Sequence, residues 1–145
     1  MPMIRFTTSY PYTDLEKAQI SKVVQTCMEN YFDTPKNDCF HIFEQIPQEQ
    51  VFVDPDYWVK TTRTEKFILV YITSGKPRTA QQKSDLMLHV TTQLKQNFDV
   101  PEQDVMFVIV QNSAEDWCFG HAQRADLYLN KLEFTINKYK SNALF

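Results

Sequence analysis

Glycine is the scarcest feature of this sequence: its 145 residues contain two, Gly75 and Gly120, against a usual share of about 7%. With so few, no phosphate-cradling loop of the G-x-G-x-x-G or G-x-x-x-x-G-K type can be written. Each glycine is expected to mark a backbone position with a special requirement. Cysteine is also sparse. Cys27, Cys39 and Cys118 have no C-x-x-C spacing and read as reduced thiols. Long apolar runs are missing, the longest being the six-residue stretches 67–72 and 105–110, too short to span a membrane. Positive charge is lacking as well: the net charge is -3, and the basic residues are scattered rather than gathered into the patch that nucleic acid needs. His41, His89 and His121 match no metal-ligand spacing, and no metal or other cofactor is expected. No basic stretch followed by an apolar one opens the chain, so a cytoplasmic protein is expected.

What is present is a repeat. The string FDTPKND at 32–38 returns as FDVPEQD at 98–104, an offset of 66 residues. Extended without gaps, the offset matches 11 of the 43 positions from 3 to 45, among them Thr7, Pro11, Thr13, Lys17, Val24, Phe32, Asp33, Pro35 and Asp38. Apolar positions agree too: Ile20, Val24, Met28 and Phe32 correspond to Leu86, Val90, Leu94 and Phe98.

Each copy reads as strand, helix, strand. First strands are expected at about Met3–Thr8 and Phe67–Thr73, second strands at about Cys39–Gln45 and Val105–Gln111. Helices should begin at Thr13 and Thr79, each with a Glu or Gln three residues on, the pattern of a capping box. Pro35 and Pro101 fall in the helix exits. Two β-α-β units imply parallel pairing within each unit. The expected fold is α/β (α+β), a four-stranded mixed sheet with two helices on one face. It forms a single domain over 1–145, with repeats at about 2–46 and 67–112 and a C-terminal extension at about 113–145. In that extension Leu129, Leu132, Ile136 and Tyr139 have helical spacing, and 131–140 reads as a helix's solvated side. Phe6, Ile68, Val70, Ile72, Val108 and Val110 are more apolar residues than two helices should cover. The bare sheet face is therefore expected to be buried against other subunits.

The chemistry centres on Pro2. Methionine aminopeptidases remove Met1 when a small residue or proline follows, and the chain would then begin with a secondary amine, able to act as base, acid or nucleophile. Pro2 starts the first strand, and Asp38 stands just before the second strand parallel to it, so both reach one sheet edge. If the second unit packs antiparallel to the first, Thr73-Ser74-Gly75-Lys76-Pro77-Arg78 arrives at the same edge. A secondary amine, a carboxylate and two cations would then converge. The copy of Pro2 is Ile68, so one proline site per chain is expected. Gly75 is expected at a sharp turn that delivers Lys76 and Arg78, and Gly120 after Trp117 and Phe119 in a loop that would wall the pocket.

These residues resemble a known family. Pro2, the P-x-x-D of Pro35–Asp38, the K-P-R at 76–78 and QNSAEDWCFG at 111–120, in this order, are similar to the tautomerase superfamily. The likeness is greatest to its malonate semialdehyde decarboxylase-like group and runs over about residues 2–125. It implies a homotrimer of paired β-α-β units acting on a small oxo acid. Pro2 would be the catalytic acid or base, Asp38 would orient a water or assist proton transfer, and Arg78 would grip the substrate carboxylate. Lys76 stands where the decarboxylases carry arginine and would also bind substrate. Trp117 and Phe119 would wall the site, with Cys118 in place of the usual serine. Enol–keto tautomerisation and decarboxylation of a 3-oxo acid are both open to this set. The alternative is a non-catalytic trimer resembling macrophage migration inhibitory factor, its pocket filled or blocked. His121 lies close in sequence to the proposed site but reads as an exposed loop residue. Tyr57 and Trp58 either line the pocket mouth or anchor the linker 47–66 to the core.

Overall fold

A computed structural model describes residues 1–128. The helical pattern expected at Leu129, Leu132, Ile136 and Tyr139 lies outside the described residues, as does the 131–140 stretch. Strands β1 (Pro2–Thr8), β2 (His41–Gln45), β3 (Ile68–Ser74) and β4 (Val105–Gln111) alternate with helices α1 (Asp14–Tyr31) and α2 (Ala80–Phe98) in two β-α-β units. The sheet order is β2-β1-β3-β4. Pairing is parallel within each unit and antiparallel between β1 and β3.

The repeat sets local structure in the same way in both copies. Thr13 and Thr79 each accept a hydrogen bond from the residue three positions on, and the Glu16 and Gln82 side chains accept from the cap N–H in return. Two of the four orphan donors at each helix start are thereby satisfied. The exits match as well. Asp33 and Asp99 adopt left-handed backbone, with φ of 48° and 54°. The N–H groups of Thr34 and Val100 reach back to the carbonyls of Met28 and Leu94, a six-residue closure that ends a helix. The repeated proline then starts a tight turn, with Asp38 N–H on Pro35 O and Asp104 N–H on Pro101 O. The antiparallel register reflects the repeat too. Arg5 pairs with Tyr71, its own copy 66 residues on, and Pro2↔Ser74 mirrors Thr8↔Ile68. A local twofold axis therefore passes between Arg5 and Tyr71.

Alternation along the strands decides what each face does. Ile4, Phe6, Ile68, Val70 and Ile72 are buried in one core with Ile20, Val24, Met28, Leu86, Val90 and Leu94 of the helices. This corrects the expectation for Phe6, Ile68, Val70 and Ile72: all four lie beneath the helices, because residues two apart share a face. The free face carries the intervening set, in which Leu69 pairs with Met106, Tyr71 with Val108 and Thr73 with Val110. Ile42 is half exposed on β2, and an Arg5–Glu44 ion pair adds charge beside it. No helix among the described residues is long and apolar enough to cross a membrane.

Candidate active site

The antiparallel centre of the sheet brings Met1 to the start of β1 beside the end of β3. Gly75 N–H donates to Met1 O at 2.8 Å, continuing the ladder past Pro2↔Ser74. The parallel β1–β2 pairing brings the Pro35–Asp38 turn to the same edge. There the Met1 ammonium meets Asp38 Oδ2 at 2.8 Å, with both groups mostly shielded from solvent. Pro2 is buried one residue further in, and its nitrogen is an amide while Met1 is attached.

Beside this ion pair opens a cavity of about 670 Å³. Its polar lining comes from Asp38, Asn37, Lys76, His121 and Gln123; Phe40, Phe119, Ala125, Tyr128 and Pro35 supply apolar surface. Lys76 Nζ lies 2.6 Å from Asp33 Oδ2. That contact holds the Asp33 carboxyl below the usual carboxylate range, through the hydrogen bond first and the charge of Lys76 second. Trp117 stacks on Phe119 with ring centroids 5.6 Å apart, and Phe119 lies 5.2 Å from Phe40, so three rings follow one another into the cavity. The Trp117 indole is held by Asn112, whose Oδ1 accepts from Nε1 at 2.6 Å.

Asp38, Lys76 and Phe119 line the cavity, as does Met1, with Pro2 buried behind it. Trp117 backs Phe119 rather than facing the cavity itself. Arg78 is placed differently from its expected role. It is buried, and its guanidinium donates to the carbonyls of Phe32, Asp33 and Lys76 and to Ser74 Oγ. It also lies over the Phe32 ring, 4.7 Å from the centroid. Burial lowers its pKa. The helix exit at Asp33 leaves main-chain carbonyls pointing inward, and a planar fork of five donors is suited to collecting them. Arg78 therefore clamps the α1 exit to the end of β3, beneath Asp33 and Lys76.

Sequence reasoning missed Asn37, Phe40, Gln123, Ala125 and Tyr128. Phe40 carried a usable signal, since it is two residues beyond Asp38 on an extended segment. Asn37 and His121 have positive φ, 105° and 57°, which sequence does not display. His121 is exposed as expected and still lines the cavity.

Gly75 lies in the bend that follows β3, as expected, and its missing side chain has a further use. A Cβ there would stand 2.8 Å from Trp117 Nε1 and 3.1 Å from Met1 Cβ, so glycine permits close packing of the indole and Met1. Gly120, at φ 144°, does supply a backbone conformation that other residues resist. Tyr57 and Trp58 neither line this cavity nor anchor the linker. Both are exposed at a second cavity of about 510 Å³, with Phe52, Arg63 and Met106. Among the described residues no group of three or more His, Cys, Asp or Glu could hold a metal ion.

Comparison with known proteins places this arrangement. Residues 38–120 match the family model described as tautomerase enzyme. The chain is 24% identical over 123 residues to Probable tautomerase YusQ of Bacillus subtilis (strain 168), a match covering 85% of this chain and 96% of the relative. Among solved structures it resembles malonate semialdehyde decarboxylase, with a TM-score of 0.79, 24% identity, and coverage of 89% of this chain and 98% of the other. It also resembles a fused 4-OT described as an asymmetric trimer, with a TM-score of 0.70, 15% identity, and coverage of 87% and 98%. With the family model matching more than half of its length, the chain belongs to the tautomerase enzyme family.

Proposed function

We propose that the chain, once Met1 is removed, is a homotrimeric enzyme that uses the Pro2 amine to move protons on an oxo acid. The observation carrying this reading is the position of the chain's amine. It is held by Asp38 at the head of an apolar cavity whose cation is Lys76. The apolar free face of the sheet, with Leu69, Tyr71, Met106 and Val108, supports association of copies. An open cavity favours catalysis over the non-catalytic alternative, which needs a filled or blocked pocket.

The steps follow from the groups present. In tautomerisation the neutral Pro2 nitrogen takes the enol O–H proton, the C=O bond forms, and the protonated amine returns that proton to carbon. In decarboxylation the protonated amine hydrogen-bonds the carbonyl oxygen of a 3-oxo acid. The bond to the carboxylate carbon breaks, carbon dioxide leaves, and its electron pair forms an enolate that takes the proton. Lys76 holds the remaining charge as a point cation, without the bidentate fork of arginine. Asp38 favours the protonated amine, whereas burial and Lys76 favour the neutral one. Arg78 acts as a positioning residue through Asp33 and the Lys76 backbone. Trp117 acts through Phe119.

Untagged protein whose intact mass shows loss of Met1 should turn over enols of 2-oxo acids or malonate semialdehyde. Pro2→Ala, or one residue added before Pro2, should lower kcat/KM by about 10²–10⁴-fold. Full activity surviving both changes, or a native product retaining Met1 and still active, ends the Pro2 mechanism.

A further inference from the structure

Met1 is held at every group that its removal requires. Its ammonium lies 2.8 Å from Asp38 Oδ2, with each of the two side chains only 16% exposed. Its carbonyl oxygen accepts the Gly75 N–H at 2.8 Å. Its Cβ stands 3.1 Å from where a side chain at Gly75 would begin, so the glycine lets Met1 pack closely against the end of β3. Met1 also forms part of the cavity wall.

The other side of the Met1–Pro2 bond is no freer. Pro2 is buried and paired with Ser74. β1 lies between β2 and β3, and on the β2 side the Ile4 N–H already reaches Phe40 O at 2.9 Å. Residues 1–3 can therefore lift away only by giving up the Asp38 ion pair, the Gly75 hydrogen bond and the burial of Pro2 together.

Removal of Met1 is a hydrolysis. Water adds to the Met1 carbonyl carbon, the bond to the Pro2 nitrogen breaks, that nitrogen takes a proton, and free methionine leaves. An aminopeptidase must enclose the free amine and the first side chain to bring water to that carbon. In the folded chain the amine is on Asp38, the carbonyl is on Gly75 and the residue is part of the cavity wall. Before β1 pairs, none of these contacts exists.

We propose that folding closes the processing step: Met1 leaves only while β1 is unpaired, and a chain that folds first is locked without a free Pro2 amine. This rests on the reading of that amine as the reacting group, and it names what regulates it. The share of active sites is then set during synthesis, by a race between aminopeptidase and folding. Asp38 serves both forms, as the latch on the Met1 ammonium in the locked chain and as the partner of the Pro2 amine in the processed one.

Met1-bearing protein, made in cells whose methionine aminopeptidase is inhibited, tests this. The folded protein and a peptide of residues 1–12 are each treated with methionine aminopeptidase, and Met1 loss is followed by intact mass. The folded protein should lose Met1 at least about 100-fold more slowly than the peptide, since local opening must come first. Asp38→Ala should raise the folded rate by at least about tenfold, the worth of one hydrogen bond to a charged group. Where that variant fails to fold, Asp38→Asn should act in the same direction. Loss at the peptide's rate, or protection that neither substitution weakens, overturns the proposal. The Pro2 reading is separable. Rapid loss from folded protein with activity rising in step removes only the lock, whereas slow loss from chains that stay inactive once processed removes only the proline mechanism.

Discussion

The two ends of the sheet are built from the same repeat and put it to different uses. At one end Asp38 meets the Met1 ammonium at the cavity. At the other its copy, Asp104, is fully buried and accepts from the Thr64 N–H at 2.7 Å and from the Thr64 hydroxyl. The carbonyls of Phe32 and Asp33 are collected by Arg78. Those of their copies, Phe98 and Asp99, are collected by Lys66, which arrives from the linker. Tyr12, the copy of Arg78, is buried, and burial raises its phenol pKa, with the Asp104 charge adding to the effect. Met106, the copy of Phe40, lines a shallow cavity with the linker aromatics. The difference lies in what precedes the strand. A linker leading into β3 supplies uncharged donors that satisfy Asp104, and the carboxylate becomes structural. At the start of β1 the Met1 ammonium meets the equivalent carboxylate, which under the proposed function serves chemistry.

The comparison is broken most directly at the two aspartates. Asp104→Ala removes a buried carboxylate that accepts two hydrogen bonds from Thr64 and should cost about 2–4 kcal/mol in chemical denaturation, since hydrogen bonds to charged groups are the strong ones. Asp38→Ala should cost less stability than that, since the chain's amine that loses its partner can turn to water, while lowering kcat/KM by about 10–100-fold. Equal stability losses, or full activity without Asp38, would erase the distinction between the two ends.

A smaller effect is expected at Gly75, whose own copy is Ser9. Gly75→Ala places a Cβ against the indole and forces Trp117 from its bond with Asn112. Such overpacking costs about 1–3 kcal/mol and should shift tryptophan fluorescence. An unchanged midpoint and spectrum would show that the indole has room to move.

The smallest effect concerns His41, whose copy is Phe107. Burial pushes the His41 imidazole down to about 4, and its Nδ1 shares a hydrogen bond with Ser21 Oγ at 2.8 Å. Below the ordinary histidine value near 6.5 the unfolded chain takes up a proton that the folded chain refuses. Stability contributed by the neutral ring is therefore intact above about pH 6.5 and declines as pH falls toward 4. His41→Phe, which makes the two units alike, should lose this slope, so the stability difference between variant and wild type should change with pH between 6.5 and 4. A difference independent of pH between 6.5 and 4 would mean that the ring takes up its proton in the folded state.

Much of the fold was legible because it repeats. Thr13 and Thr79 announced helix starts, FDTP and FDVP announced matching exits, and β4 begins and ends where the sequence pattern put it. Asp38 could be placed near Pro2 from strand direction, Lys76 once the two units are taken to pack antiparallel, and Phe119 only through the family resemblance. Arg78 could not be placed in the same way. Its neighbours in sequence suggest a cation aimed at a ligand, but carbonyls released 45 residues earlier, at the end of α1, claim it first. At Gly75 the bend could be expected from sequence, but the group that demands its missing side chain is an indole 42 positions away.

By itself the sequence determined the two β-α-β units, their caps and the parallel pairing within each, since these rest on residues within a few positions or on the 66-residue offset. The antiparallel joining of β1 to β3 was decided by the tertiary structure. Only the tertiary structure decided which copy of a shared residue stays free. It assigned Asp104 to Thr64, Arg78 to main-chain carbonyls and Lys76 to the cavity. Hydrogen-bonding capacity is spent on whatever donor or acceptor the fold brings within reach, and that neighbour is set by packing rather than by the residue's own type.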